Sequence, residues 1–132
     1  MDLIHLDNHS GVPIFRQIQD QIRQQILAGR LATGAQLSPV RDLAIQIRVN
    51  PMTVSKAYAL LEAEGLLERR RGVGLFVAPL APRQRDRDCR ALLAEALGAA
   101  AASAVQMGIA EDEAMAIYRD LMREYSRRRD QR

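Results

Sequence analysis

The chain has 132 residues, 48% of them hydrophobic and 27% charged, which excludes an intrinsically disordered chain and a membrane-spanning one, since no apolar run nears the roughly 20 residues a spanning helix needs. The length suits one domain, or a small domain with an accessory segment. The net charge is only +3, but eighteen of the nineteen cations are arginine, Lys56 being the one lysine; the planar guanidinium suits phosphate and guanine, although a GC-rich genome gives the same bias.

The first residues, MDLIHLDNHS, have neither the basic start nor the apolar stretch of a secretory signal, so the chain is expected in the cytoplasm. Cys89, the single cysteine, builds no internal disulfide framework, and no Cys or His spacing makes a metal site; it reads as a small buried group on a helix. No cofactor is implied.

Residues 13 to 28 predict an amphipathic helix, because Pro13 suits a helix start and Ile14, Ile18, Ile22 and Ile26 recur every four residues. Gly29 fits its C-terminal cap, and residues 31 to 37 read as a turn with a short extended piece. A second helix is expected from Ser38 and Pro39, with Ser38 as cap, burying Val40, Leu43, Ala44 and Ile47. A third follows after a short turn: Asn50 is a good N-cap, Pro51 suits the first helical position and Gly65 ends the run. Two short capped helices joined by three or four residues make a helix-turn-helix. Residues 66 to 71 and 74 to 78 alternate around Gly72-Val73-Gly74, which predicts a hairpin with a cationic tip, a wing.

Pro79, Pro82 and the charged run RQRDRDCR place a boundary near residues 79 to 86. Beyond it, Leu93, Leu97, Ala100, Ala104 and Met107 form a seam for close helix packing, and Gly108 interrupts it. A last helix is expected over 111 to 127, acidic at its start (Glu111, Asp112, Glu113) and basic at its end (Arg127, Arg128, Arg129), as the helix dipole favours. Its two apolar lines, Ala114, Tyr118, Leu121, Tyr125 and Met115, Met122, are too wide for one neighbour and imply another subunit. The fold class is therefore mainly α with a small β-hairpin wing: a winged helix-turn-helix over 1–79, then a two-helix dimerisation or effector segment over 80–132.

A helix that enters the major groove buries one stripe against its own domain and offers short polar side chains from its first turn. Asn50 has an amide for a base edge, Thr53 and Ser55 reach phosphates, Lys56 adds charge one turn later, and Met52 with the Thr53 methyl suits a thymine methyl. Each of these also has an ordinary reading as cap or surface; their conjunction with the preceding helix and the wing favours DNA. Arg41 is either a solvated arginine or a groove-edge contact. In the wing, alternation sets Arg69 and Arg71 on one face and Arg70 on the other, so at most two meet a minor groove together.

Across nearly all of residues 12 to 78, in PIFRQIQDQIRQQILAGRLATGAQLSPVRDLAIQIRVNPMTVSKAYALLEAEGLLERRRGVGLFV, the chain resembles the GntR family of bacterial transcription regulators. Within it, Asn-Pro-Met-Thr-Val with Ala-Tyr downstream and a tail of about fifty residues resembles the YtrA subfamily; the effector and aminotransferase domains of larger relatives do not fit this length. The resemblance implies a winged helix-turn-helix that binds a palindromic operator as a homodimer, often repressing its own operon together with a membrane transporter gene. It assigns Arg41 to a base contact, Asn50, Met52, Thr53 and Ser55 to the recognition helix, and Gly72 to the wing tip. Two departures stand out. Ser38-Pro39 replaces the common Pro-Ser, and Pro51 stands where many members carry a recognition-helix arginine, so a guanine contact from position 51 is ruled out and specificity leans on Arg41, Asn50 and the wing.

The expected mechanism is a homodimer whose C-terminal helices hold two winged units about one DNA turn, roughly 34 Å, apart. An unidentified small-molecule effector would sit between subunits or domains and change that separation. A winged module for protein contact, without an operator, is the alternative. An enzyme fares worst: His5 and His9 have no nucleophile pattern beside them, and no helix or lysine follows Gly72-Val73-Gly74 to make a phosphate loop.

Overall fold

The computed structural model describes residues 3–131. In chain order the elements are α1 (Ile14–Leu27), α2 (Val40–Ile47), α3 (Pro51–Ala63), β1 (Leu67–Arg70), β2 (Gly74–Val77), α4 (Pro82–Gln106) and α5 (Glu111–Asp130). Two compact units share the chain, Met1–Asp88 and Cys89–Arg132. The division falls inside α4, nine residues beyond the boundary read from Pro79.

In the first unit the four-residue isoleucine period does what it predicts. Ile18, Ile22 and Ile26 of α1 are buried with Leu43 and Ala44 of α2, Val54, Ala57, Tyr58 and Leu61 of α3, and Leu66, Leu67, Leu75 and Val77 of the wing. Beside the apolar stripe of α1, an ion pair ties it to the end of α3. Arg23 donates to Glu64 at 2.5 and 3.0 Å and Gln19 adds a 2.6 Å bond, so the Glu64 carboxylate raises the pKa of Arg23 above its ordinary value.

The N-terminal stretch, unpatterned as sequence, is laid along α1 by two glutamines one turn apart. Gln21 exchanges bonds with the backbone of His5 (2.9 and 2.6 Å) and Gln17 with that of Asp7 (2.8 and 2.8 Å). The side-chain amide has the donor and acceptor of a peptide group, so it stands in for a neighbouring strand. Ile4 is thereby brought into the core.

The caps follow the sequence at α3 and depart from it at α2. Asn50 accepts from the Met52 amide at 2.8 Å, with Pro51 in the first helical position. At α2 the residue in the cap position is Pro39 and no side chain caps the helix, which corrects the expectation for Ser38. The backbone carbonyl of Ser38 accepts instead from the Tyr58 hydroxyl at 2.8 Å, pinning the start of α2 to α3; burial pushes the Tyr58 phenol well above its ordinary pKa.

The helix-turn-helix turn closes through Arg48, which has φ 57° and ψ 52°. A residue with a Cβ costs about 1 kcal/mol or more in this left-handed region, where glycine is the usual occupant. The wing is an antiparallel hairpin with Leu67 opposite Val77 and Arg70 opposite Gly74. Residues 35–37 flank β2 as a third extended segment, with Leu37 donating to Leu75 and Val77 to Ala35, each at 2.8 Å.

The charged run expected at a boundary is helical. Only the four residues 78–81 separate the wing from α4, because arginine, glutamine and aspartate are tolerated in a helix and Pro82 occupies its first position. Arg85 donates to the Leu27 carbonyl at 2.7 Å, a cation at the negative end of α1. Within the second unit, Gly108 (φ 70°) ends α4, and α5 runs three residues past the expected 127 with its acidic start and basic end as read. Cys89 is half-buried rather than buried.

Candidate nucleic-acid interface

The elements that bury the α3 stripe also decide what it leaves outside. Val54, Ala57, Tyr58 and Leu61 point inward, so Asn50, Met52, Ser55 and Lys56 are exposed and Thr53 is half-buried. Because Asn50 spends its oxygen on the cap, its Nδ2 amine remains for a partner. Met52 is 78% exposed, so its apolar side chain stands on the same outward turn as Asn50 and Ser55. Lys56 leans toward α1, its Nζ 4.0 Å above the Phe15 ring.

On α2, Arg41 is exposed and its side chain has no hydrogen bond or ion pair among the described residues. One helical turn further, Ile45 is 78% exposed. Sequence reading passed over Ile45, although its i+4 spacing from Arg41 sets the two on one face. Arg41, Ile45 and the first turn of α3 thus flank the helix-turn-helix turn with outward side chains.

The three wing arginines have three separate fates. Arg69 pairs with Glu62 of α3 at 3.2 Å. Arg70 lies 4.0 Å over the Phe76 ring and 3.4 Å from Glu68, the contact that its diagonal position in the hairpin allows. Arg71 is exposed in the turn beside Gly72 (φ 76°), with no bond among the described residues. Gln36 steadies the tip by donating to the Val73 carbonyl at 3.2 Å.

Three helices, a helix-turn-helix turn and a pinned hairpin define a winged helix-turn-helix, with its outward polar surface on the first turn of α3 and the wing tip. Residues 15–77 match the family described as bacterial regulatory proteins, gntR family. Over 76 residues the chain is 43% identical to the HTH-type transcriptional repressor YtrA of Bacillus subtilis, and the match covers 58% of each chain; the chain thus spans less than two thirds of that relative's length. YtrA from Sulfolobus acidocaldarius, described as a GntR-family transcription factor, shares the fold at TM-score 0.58 and 34% identity, over 74% of this chain and 99% of that one. A GntR family transcriptional regulator from Listeria monocytogenes does so at TM-score 0.76 and 26% identity, over 87% and 98%. The DNA-binding part of AraR, solved in complex with operator ORX1, gives TM-score 0.51 and 26% identity, over 59% and 96%. The chain belongs to the GntR family.

Among the described residues, no helix is long and apolar enough to cross a membrane.

Proposed function

We propose that the chain is a sequence-specific DNA-binding transcription regulator, a homodimeric repressor of its own operon, with a membrane transporter gene among its targets. The observation that carries this reading is the two-sided construction of α3, a fully buried stripe beneath a first turn whose polar side chains are left to solvent. Such a helix fits a major groove, with Arg41, Asn50, Met52, Thr53 and Ser55 toward base edges and phosphates and Lys56 toward the backbone. The wing tip, Arg71 with Gly72, suits the neighbouring minor groove, and Arg69 reaches it by exchanging Glu62 for phosphate.

Dimerisation is supported by what the C-terminal helices leave uncovered. No described residue of α4 or α5 is buried, and Leu93, Met115, Leu121, Met122 and Tyr125 are each between 45% and 62% exposed. A second copy offers the same apolar lines in return, the self-complementarity that a two-fold interface requires. Two recognition helices held about 34 Å apart then meet a palindromic operator.

A gel shift with the DNA upstream of its own gene tests the reading. A discrete shift is expected at about 100 nM protein in moderate salt, since specific complexes form at 10⁻⁸ M or tighter; no shift at that concentration sinks the proposal. Arg41→Ala is expected to weaken the complex by about 1–3 kcal/mol and to leave binding to a scrambled duplex nearly unchanged. Equal losses on both duplexes make Arg41 a phosphate anchor and not a base reader.

A further inference from the structure

We infer that Arg48, in the turn between α2 and α3, is a DNA-backbone clamp whose guanidinium grips a phosphate at the edge of the groove that α3 enters. The inference rests on the reading of α3 as a recognition helix and adds to it a contact that neither the helical period nor the capping pattern marks.

Three observations lead there. First, glycine occupies each of the other positive-φ positions among the described residues, at 29, 34, 65, 72, 74 and 108, and Arg48 is the one non-glycine residue in that region. Backbone geometry therefore argues against arginine at this place, and something other than geometry must favour it. Second, packing does not favour it. Arg48 is exposed, and its side chain makes no hydrogen bond or ion pair among the described residues. Third, its position is fixed. The turn is closed by bonds from Arg48 to the Ile45 carbonyl (3.4 Å) and from Val49 to the Ala44 carbonyl (3.0 Å), which holds Arg48 two residues ahead of the Asn50 cap and the positive end of α3.

The first turn of α3 leaves a shortage of charge that Arg48 meets. Residues 50 to 55 contain no cation, Pro51 removes a backbone donor, and Lys56 is drawn over Phe15. A groove-binding surface directs half or more of its hydrogen bonds to phosphates and sugars. On the α2–α3 side only Arg41 and Arg48 stand outward with a guanidinium to give, and the planar fork of Arg48 suits phosphate oxygens.

The test uses the full chain with Arg48→Gly, Arg48→Asn and Arg48→Lys. Each is titrated by fluorescence anisotropy at several salt concentrations against the duplex upstream of its own gene and a scrambled duplex, and each is melted. Glycine and asparagine both accept the left-handed turn, so their melting temperatures are expected to equal or exceed that of the parent. Both should nevertheless bind both duplexes roughly tenfold more weakly, with the slope of log K against log salt reduced by about one per subunit. Arg48→Lys should recover most of the loss. Unchanged affinity and slope in the glycine and asparagine variants overturn the inference. So does a loss confined to the upstream duplex with an unchanged slope, which would make Arg48 a base reader, and so does a loss that lysine fails to restore. A parent chain that binds neither duplex fails the recognition-helix reading itself, a result distinct from all of these.

Discussion

Leu61→Ala is expected to lower the folding free energy of the winged unit by about 2–5 kcal/mol, the range for leucine truncations in packed cores. Leu61 is fully buried, and its cluster draws on α1, α2, α3 and both wing strands. A cavity lined by elements that are themselves tied together, α1 to α3 through Arg23 and Glu64 and α2 to α3 through Ser38 and Tyr58, has little freedom to collapse, so the upper half of the range is expected. Small domains hold about 5–15 kcal/mol in all; the variant should be partly unfolded near 37 °C. Urea denaturation followed by far-ultraviolet circular dichroism measures the loss. A change below about 1 kcal/mol would mean that the core relaxes around the gap. DNA binding should fall with stability, because the same stripe that fills the core sets the angle at which the first turn of α3 leaves the surface.

How far the sequence reads into this structure depends on whether a feature is local. The isoleucine period of α1, the Asn50-Pro51 start and Gly65 end of α3, and the glycines of the wing all appear as read, because each follows from a few adjacent residues and their backbone preferences. Features set by a distant partner were hidden. Ser38 looks like a cap in its own neighbourhood, and only the approach of Tyr58, twenty residues away, gives its carbonyl a bond and leaves its side chain without a capping role. Alternation places Arg69 and Arg71 together, but Glu62 on α3 claims Arg69. Arg48 is hidden for the opposite reason: a left-handed turn is normally announced by glycine, and this one carries a side chain that hides the backbone signal. The charged run after Pro82 looks like a linker by composition, whereas its residues tolerate a helix and one of them, Arg85, finds the end of α1.

The helical status of that run decides where the chain should be cut to separate DNA contact from assembly. A chain ending at Asp88 keeps the first turns of α4 and the bond from Arg85 to the Leu27 carbonyl, which a cut after Pro79 removes; it is expected to fold and to be monomeric by sedimentation velocity, while the full chain sediments as a dimer. The reason lies in which surfaces are uncovered. In the first unit the large apolar side chains are mostly in the core, whereas the segment from Cys89 onward buries none among the described residues and displays Val105 (79% exposed), Met107 (67%) and Tyr125 (62%). Joining two half-site contacts through that segment makes the second contact intramolecular, which multiplies affinity by about 10²–10⁴ without any new interaction. The monomer should therefore bind the upstream duplex at least a hundredfold more weakly than the full chain, although every side chain proposed to touch DNA is present. If residues 1–88 still dimerise, the interface belongs to the winged unit; and if the monomer binds as tightly as the full chain, a paired arrangement is not what gives the protein its grip on an operator.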